Sequence, residues 1–366
     1  MGPFHTCGLS KIILGDFDLA QVAWHTQGVG RSLFYNMPNL ETVDFKSITH
    51  MPNFNDNSSF EHTALFSYCP SMKRFILRST TVPPISNSNT TLDIRHFGGS
   101  NVTIYVPYSA INDYKTDSDW SSVASYMGPI FTDKTFRNYE FENCDYPGIM
   151  IEGNTTSISV GCFRNSTNLK DVVFSDNVAS INTLAFSGCS NLLLDKIPDS
   201  VTTLSSNCFS GCSKITVNSS NNVTDMRGGV FMNCTSITSF TIKSKCAVEG
   251  ASFFNGCTNL ETVTFEPGDG PDIIFNNESS YSAGAFVNTK ITTLDFPERL
   301  STLGNASLNC STLRTLIIRK TTVPNTGTLS LNEHVQIYVP DASVQLYKDT
   351  WTGLASRIHG ISELPS

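Results

Sequence analysis

Residues 230–242, VFMNCTSITSFTI, are repeated almost unchanged by residues 253–265, FFNGCTNLETVTF. Five positions of the repeat, at offsets 0, +3, +6, +9 and +11, carry the apolar residues and the cysteine; in the first copy these are Phe231, Cys234, Ile237, Phe240 and Ile242. A recurring pattern has to be identified before any single motif is interpreted, because it determines the fold of the whole chain. The cysteine therefore belongs to a structural repeat.

The same pattern recurs along most of the chain. Further copies start at Phe34, Phe66 and Phe163, copies with weaker tails at Phe186 and Phe209, copies one residue shorter at Phe4, Phe141 and Phe286, and a degenerate copy at Ser307. In the second half the commonest step is 22 or 23 residues. This short period, with alternating apolar residues at +9 and +11, predicts a β-solenoid of the leucine-rich-repeat type, with short strands and helical turns.

The cysteines fit the interior of such a solenoid. Eight of the eleven lie at the +3 position, and equal offsets stack about 4.8 Å apart from coil to coil. A small side chain with a weak donor suits a buried slot between apolar neighbours. We therefore predict a structural core ladder formed by Cys69, Cys189, Cys212, Cys234, Cys257 and Cys310, whereas Cys246 fits no position of the repeat.

Other roles for the cysteines are less consistent with the spacing. A zinc site needs close pairs of cysteines together with a second pair or with histidines, and the seven histidines show no metal-binding spacing. Disulfides between neighbouring coils remain an alternative, although the odd number of cysteines disfavours a disulfide framework. The sequence therefore predicts no metal, no cofactor and no catalytic residue, and so a protein that is not an enzyme.

A longer duplication spans the chain. FILRSTTVP (75–83) and IYVP (104–107) recur as LIIRKTTVP (316–324) and IYVP (337–340). Each copy continues into an apolar helical face, formed by Trp120, Val123, Met127 and Ile130 or by Trp351, Leu354, Ile358 and Ile361. Because the last coil of a solenoid exposes an apolar end and a strand edge, we predict that each copy is a small α/β cap, with Tyr114, Trp120, Tyr347 and Trp351 as its aromatic residues.

The two caps divide the chain into two predicted arrays. Residues 1–130 form a short leucine-rich-repeat array with a cap at about 101–130. Residues 131–366 form a longer array of about eight coils with a cap at about 335–366. Each array then has one end covered by its own cap.

The wording of the repeats resembles a known family. AFSGCSNLLLDKIPDSVTTLSSNCFSGCSKIT (185–216) and FFNGCTNLETVTFEPG (253–268) are similar to the BspA-like leucine-rich repeats of bacterial surface proteins. The resemblance implies a cell-surface or secreted protein that adheres to proteins or to other cells. The long insertions, and the lack of a charged and apolar export signal in residues 1–17, depart from the family pattern.

Composition narrows the range of partners. The net charge of −8 and the scattered lysines and arginines disfavour binding to nucleic acid, which needs a basic face. No apolar run approaches the roughly 18 residues of a membrane helix, so no membrane insertion is expected. The partners that remain are proteins, glycans or other subunits of an assembly.

Three long steps between coils, of 30, 32 and 32 residues, indicate inserted loops. Insertions in repeat proteins often gather on the binding face, and aromatic residues suit both protein contacts and sugar stacking. The candidate ligand-binding residues are Trp24, Phe54, Phe60, Phe275 and Tyr281. The alternative is that each aromatic ring packs back over its own coil.

Two functions follow from these observations. The first is a non-enzymatic recognition or adhesion protein, extracellular or on the cell surface, that binds a host or cell-surface protein or glycan through the solenoid surface and its loops. The alternative is a structural or decoration subunit of a virion, such as a phage, or of another large assembly, which the missing export signal favours.

Overall fold

The computed structural model describes residues 7–17, 34, 36–51, 66, 69–85, 92–275, 284–304, 307–326, 329 and 331–365. Within them the chain forms twenty strands: β1 (Lys11–Phe17), β2 (Thr42–Ile48), β3 (Arg74–Leu77), β4 (Thr103–Pro107), β5 (Met127–Thr132), β6 (Gly148–Glu152), β7 (Ser157–Ile158), β8 (Asp171–Val173), β9 (Ser180–Ile181), β10 (Thr203–Leu204), β11 (Asp225–Arg227), β12 (Ser239–Ile242), β13 (Ala247–Gly250), β14 (Thr262–Phe265), β15 (Ile273–Phe275), β16 (Thr293–Phe296), β17 (Leu300–Leu303), β18 (Thr315–Ile318), β19 (Gln336–Val339) and β20 (Ile358–Gly360). Two short helices are α1 (Ile111–Thr116) and α2 (Val344–Thr350). Turns of 3₁₀-helix cover Ile94–Phe97, Tyr108–Ala110, Ser121–Tyr126, Asp341–Ser343, Thr352–Arg357 and Ile361–Glu363.

The strands pair in parallel and fall into two compact units. Unit 1 comprises Met1–Asp133, Tyr146–Glu152 and Lys170–Val173, and contains one sheet in the order β1-β2-β3-β4-β5-β6-β8. Unit 2 comprises Lys134–Asp145, Gly153–Leu169 and Phe174–Ser366. Its three sheets have the orders β17-β15-β13-β11-β10-β9-β7, β12-β14 and β16-β18-β19-β20. The proposed division into arrays at residue 130 stays a prediction, and unit 1 includes strands from beyond that residue.

The repeat phenylalanines form a continuous row in the core of unit 2. Neighbouring rings have centroids 5.4–6.2 Å apart and planes within 5–17° of parallel; they are Phe141, Phe163, Phe186, Phe209, Phe231, Phe254 and Phe286. Stacked aromatic rings of this kind contribute dispersion energy in addition to their buried area. Offset 0 of the repeat is therefore the centre of the packed interior.

The +3 cysteines lie beside this row and donate hydrogen bonds. The Sγ atoms of Cys212 and Cys234 donate to the carbonyl oxygens of Phe186 and Phe209, one coil earlier, at 3.1 Å in both cases. Cys189 and Cys257 make the same contact at 3.1 and 3.0 Å, and Cys69 does so in unit 1 at 3.2 Å. Each thiol thus fills a buried slot and also supplies a donor to a backbone acceptor, which alanine could not do.

Cysteine is not the only residue that serves at this position. Ser166 holds the +3 place in its coil, and its Oγ donates to the carbonyl oxygen of Phe141 at 3.2 Å. Cys310 is also buried, but its Sγ donates to the carbonyl oxygen of Ile291 at 3.5 Å and lies 3.4 Å from the Thr289 hydroxyl. In these coils the position takes a small side chain that can donate a hydrogen bond, whereas in the coil that starts at Phe34 it holds the buried Met37.

The structure corrects the view that Cys246 has no place in the repeat. The amide of Cys246 donates to the carbonyl of Lys243, three residues back, at 3.0 Å. Val201 and Val223 make the same bond at the corners of earlier coils, as does Leu300 in a later coil. Cys246 therefore occupies a corner position that is normally aliphatic.

The predicted amphipathic helices are shorter than the sequence pattern indicates. In unit 1 the helix α1 ends before Trp120, a 3₁₀-helix follows, and Met127 and Ile130 lie in β5. The Trp120 ring nitrogen donates to the carbonyl oxygen of Pro83 at 3.0 Å, and Tyr114 meets Trp120 edge to face. The chain bends there because the indole packs against the loop after β3, and it does not continue as one helix.

The second copy repeats this arrangement in unit 2. The helix α2 ends before Trp351, and the hydroxyl of Tyr347 donates to the carbonyl oxygen of Lys320 at 2.9 Å. Tyr347 and Trp351 again meet edge to face, with centroids 5.2 Å apart. A role for these segments as caps stays a prediction, and in unit 1 the sheet continues past β5 to β6.

The sheet of unit 1 curls strongly. Arg74 on β3 binds Asp171 on β8, at 2.6 and 2.7 Å, although three strands separate them in the sheet order. The hydroxyl of Tyr105 donates to the same carboxylate at 2.5 Å. A small apolar cluster, formed by Ile76, Tyr105, Ile130 and Met150, is enclosed on this side of the sheet.

A buried histidine makes the stability of unit 1 depend on pH in the acid range. His96 is 3% exposed, and its Nδ1 accepts a hydrogen bond of 3.0 Å from the amide of Asp93. Burial lowers the pKa of His96 from its ordinary 6.5 to about 4, and outweighs the opposite effect of the Asp93 carboxylate. Because the unfolded chain binds this proton first, the stability is complete above pH 6.5 and falls as the pH drops towards 4.

We therefore expect His96 to lower the free energy of unfolding by about 2 kcal/mol between pH 7 and pH 5. Urea denaturation at both pH values measures this difference. His96→Asn is the matched variant, because asparagine retains an acceptor near the position of Nδ1 and does not titrate. Hydrogen bonds from Arg95 hold the pKa of Asp93 at about 2, so that this carboxylate stays ionised throughout. An equal pH dependence in both proteins would contradict the assignment.

Candidate functional site

The predicted loop residues do not form a common site among the described residues. Trp24, Phe54, Phe60 and Tyr281 lie outside the residues that the structure describes. Phe275 lies in β15, is 1% exposed, and packs edge to face against Phe253 and Phe286. Its assignment as a ligand-binding residue is therefore wrong, because the ring has no exposed face and belongs to the core.

Metal-binding clusters and membrane-spanning helices are both absent from the described residues. Over the ranges given above, no group of three or more histidine, cysteine, aspartate or glutamate side chains is arranged to hold a metal ion. In the same ranges, no helix combines the length and the apolar character needed to cross a bilayer. The remaining candidate is a surface feature of unit 2.

A groove opens on the strand side of unit 2, where the ladder is interrupted. The strand β14 pairs with β12, and β16 pairs with β18, but β14 and β16 do not pair with each other. A groove of about 640 Å³ lies there; it is lined by Glu261, Thr262, Val263, Thr264, Phe265, Pro267, Thr292, Thr293, Asp295, Pro297 and Arg319. This volume is typical of ligand-binding clefts.

The interruption coincides with an irregular step in the repeat. The coil that starts at Phe286 follows a 32-residue step and lacks one residue between +3 and the strand. The amide of Lys290 donates to the carbonyl of Leu260 at 2.8 Å just before the two strands begin. Between β16 and β18, by contrast, the amides of Arg314 and Thr315 both donate to the carbonyl of Thr292, and the two strands pair along their length.

Alternation along the strands places polar groups in the groove. Val263 and Phe265 are buried on the core side of β14, so Thr262 and Thr264 point outwards and are exposed. Thr293 is exposed in the same way on β16. These hydroxyls can donate and accept hydrogen bonds, and they lie on strands, so their positions are fixed by the fold.

One ion pair lies at the edge of the groove. The Nε and Nη2 atoms of Arg319 donate to Oδ1 and Oδ2 of Asp295, both at 2.8 Å. These hydrogen bonds raise the pKa of the Arg319 guanidinium, and its side chain remains 53% exposed. The other charged lining residue is Glu261, which is exposed on the opposite side. The groove can therefore bind a ligand through hydrogen bonds and one cation, without covalent chemistry.

Sequence reasoning missed this site because it searched the insertions for aromatic residues. A signal was nevertheless present, since ETVTF (261–265) and TTLDF (292–296) alternate polar outward residues with apolar inward ones. Asp295 and Arg319 are 24 residues apart, about one coil, which is the spacing that brings side chains together on neighbouring strands.

Comparison with known proteins gives one family. The family described as BspA type leucine-rich repeat region matches residues 134–261 and 250–338, with six copies of the repeat. This match and the parallel sheets confirm the predicted fold class, a repeat solenoid with short strands. A search of curated proteins finds no match.

Two solved structures are similar to the chain over most of its length. One is a leucine-rich repeat protein from Bacteroides ovatus, with 16% identity and a TM-score of 0.47, covering 90% of this chain and 80% of that one. The other is a leucine-rich cell surface protein from Faecalibacterium prausnitzii, with 15% identity and a TM-score of 0.34, covering 97% of this chain and 87% of that one.

Proposed function

This chain belongs to the BspA-type leucine-rich repeat family, and we propose that it is a non-enzymatic recognition protein. It binds a macromolecular ligand, a protein or a glycan of a host or cell surface, through the strand face of unit 2. This strand face consists of the outward side chains of β12, β14, β16, β18 and β19. It acts outside the cell or on its surface, as family members typically do.

The observation that supports this proposal is the groove between β14 and β16. Its exposed hydroxyl groups, Thr262, Thr264 and Thr293, are held by strands whose other face is buried. Rigid elements position binding groups with little loss of conformational freedom on binding, which favours affinity. A groove set in an extended strand face can also gain contacts on both sides, as large ligands require.

The electrostatics of the face are compatible with a protein or glycan ligand. The groove contributes two carboxylates, of Glu261 and Asp295, and one guanidinium, of Arg319. The whole chain has a net charge of −8. A polyanion would therefore be repelled over distances up to the Debye length, about 8 Å at physiological salt, whereas neutral hydroxyl-rich or mixed-charge surfaces would not.

Filling the groove with a large side chain tests the proposal. We expect the purified chain to bind a subset of spots on arrays of immobilised oligosaccharides and of purified secreted and cell-surface proteins. Thr264→Trp should weaken that binding at least about tenfold, because a bulky side chain at the centre of an interface removes its main contacts. Biolayer interferometry on the positive spots measures the change.

The matched control is Thr224→Trp, which adds the same side chain at an exposed threonine next to β11, on another sheet of unit 2. This variant should bind like the original chain. Equal binding by Thr264→Trp and Thr224→Trp would place recognition elsewhere, and no saturable binding on either array would contradict a recognition function.

A further inference from the structure

The internal duplication contains a strand whose outer edge is paired in unit 1 and open in unit 2. The strand β5 pairs with β4 through Met127 and Ile104, and β20 pairs with β19 through the corresponding residues Ile358 and Ile337. On its other edge β5 pairs in parallel with β6. The described sheet of unit 2 has the order β16-β18-β19-β20 and ends at β20. Unit 1 therefore shows which kind of strand the open edge of β20 can accept.

The strand β1 is the counterpart of β6. Both belong to copies of the repeat that are one residue shorter, and their +8 residues are Ile12 and Ile149. Ile12 pairs with Val43 of β2, and Ile149 pairs with Val172 of β8, at the +9 position of the next copy in both cases. On its other edge β6 pairs with β5, whereas the described part of unit 1 has no strand beside the other edge of β1. The chain thus carries one open edge like that of β5 and one open edge like that of β6.

An exposed isoleucine on β1 supports this correspondence. Ile13 takes the place in β1 that Met150 takes in β6, and it is 53% exposed. Met150 is only 3% exposed, because it packs in an apolar cluster with Ile76, Tyr105 and Ile130 on the outer side of the sheet. A large aliphatic side chain on an unpaired edge strand favours association with another strand. The position of Ile13 is therefore buried in the one copy of this strand that has a neighbour.

Unit 2 repeats the apolar residues against which Met150 packs. By their place in the duplication, these residues are Ile317, Tyr338 and Ile361. Ile317 and Tyr338 are 5% and 7% exposed, and Ile361 is half-buried just after β20. An aliphatic side chain that arrives in the place of Met150 can cover Ile361 and extend this apolar surface.

We propose that the chain assembles head to tail, so that β1 of one copy pairs in parallel with β20 of another copy, as β6 pairs with β5. The contact joins two different edges, so each copy can bind one neighbour at each end and the contacts can repeat along a row of copies. The groove lies beside β16, at the opposite edge of the sheet from β20. This inference goes beyond the recognition function and does not depend on it.

The contact requires a local change after β20. Residues 130–132 of β5 pair with β6, but the corresponding residues 361–363 form a turn of 3₁₀-helix. In that turn the amide of Gly360 donates to Glu363 at 2.9 Å, and the amide of Ser362 donates to Asp341 at 3.1 Å. These bonds are exchanged for backbone bonds when the segment extends along β1. The contact between copies should therefore be weaker than the pairing of β5 with β6.

Self-association of the purified full chain tests the proposal. In sedimentation velocity from about 1 µM to about 200 µM in reducing buffer, we expect the average mass to rise with concentration, since a contact through one strand edge is small. Ile13→Lys should weaken the association at least about tenfold, because the aliphatic contact is lost and lysine on an edge strand opposes pairing. Because Ile13 is exposed, this variant should fold like the original chain, which circular dichroism checks.

Leu193→Lys is the matched control. Leu193 is 61% exposed in unit 2, away from β1 and β20 in the sequence, and its replacement changes the net charge equally. This variant should associate like the original chain. A chain that stays monomeric over the whole concentration range would overturn the inference, and so would equal association of Ile13→Lys and Leu193→Lys.

Mixing two blocked variants tests the direction of the contact. Ile361→Lys places a charge where Ile13 should pack, so it blocks the end at β20, whereas Ile13→Lys blocks the end at β1. Each variant alone should be monomeric, and an equimolar mixture should form pairs of one copy of each and nothing larger. A mixture that stays monomeric, or that forms longer assemblies, would contradict head-to-tail pairing. The recognition function would then still be decided by the array experiment with Thr264→Trp.

Discussion

Raising the pH to 10 is expected to lower the free energy of unfolding by about 6 kcal/mol through four thiols alone, those of Cys189, Cys212, Cys234 and Cys257. Burial raises the pKa of each of them from the ordinary 9.0, to about 12 for Cys189 and Cys257 and well above 9.0 for Cys212 and Cys234. The folded chain therefore keeps protons that the unfolded chain releases. Stability from this source is complete below pH 9 and is lost as the pH rises towards the folded pKa values.

The loss of unfolding free energy is large because the costs of the individual thiols add. One pH unit above the pKa of an unfolded thiol, each buried thiol costs about 1.4 kcal/mol, and four cost about 6. Net stabilities of folded domains are only about 5–15 kcal/mol. A repeat that places a buried thiol in each of four coils therefore makes the solenoid sensitive to alkali.

Serine substitution separates titration from packing. The hydroxyl of Ser166 already makes the +3 hydrogen bond, to the carbonyl oxygen of Phe141 at 3.2 Å, so serine fits the position without titrating. In reducing buffer, the variant with serine at all four positions should lose about 6 kcal/mol less between pH 8 and pH 10, as measured by urea denaturation. Cys234→Ser alone should lose about 1.4 kcal/mol less. Parallel pH profiles of the original chain and both variants would contradict the explanation.

Much of the fold could be predicted because the repeat is a local signal. Phe209 and Cys212 are buried at offsets that can be read within a single coil, and the strands at +9 and +11 follow from alternation. The sequence also explains why the copies that start at Phe186 and Phe209 depart from the pattern at their ends. Asp195 and Asn218 hold the +9 position in two coils, and no strand forms there because a charged or amide side chain does not replace a buried apolar residue.

The candidate site could not be predicted in the same way, because it depends on how one coil meets the next. The sequence of neither strand indicates that β14 and β16 fail to pair, because pairing depends on how the two strands are placed relative to each other. Phe275 shows the same difficulty, because an aromatic residue near an insertion can face either the core or the solvent. The sequence pattern places cysteines at +3 and, for Cys162 and Cys208, just before the repeat phenylalanine. The corner position of Cys246 could not be predicted because the other coils hold aliphatic residues there.

The largest expected mutational effect concerns Arg78, whose guanidinium binds the carboxylates of both Asp44 and Glu152 in unit 1. Replacing Arg78 by methionine should lower the stability of unit 1 by about 3–4 kcal/mol, because the carboxylate of Asp44 is then left buried without its main partner. Asp44 is 2% exposed, and its other cationic contact is the half-exposed Lys46, 3.5 Å away. Glu152 also loses its two hydrogen bonds to the guanidinium. Hydrogen exchange of the amides of β2 and β3, read by mass spectrometry, measures the loss locally.

Arg319 is the matched control, because it holds the same place in LIIRKTTVP (316–324) as Arg78 does in FILRSTTVP (75–83). Arg319→Met removes the same guanidinium from the same sequence context, but Arg319 and Asp295 are 53% and 39% exposed, so the cost in unit 2 should stay below about 1 kcal/mol. Adding Asp44→Asn to Arg78→Met should restore part of the stability of unit 1, because the buried charge is then removed as well. Equal losses for Arg78→Met and Arg319→Met would contradict the prediction, because neither the burial of Asp44 nor the Glu152 contact would then add to the cost in unit 1.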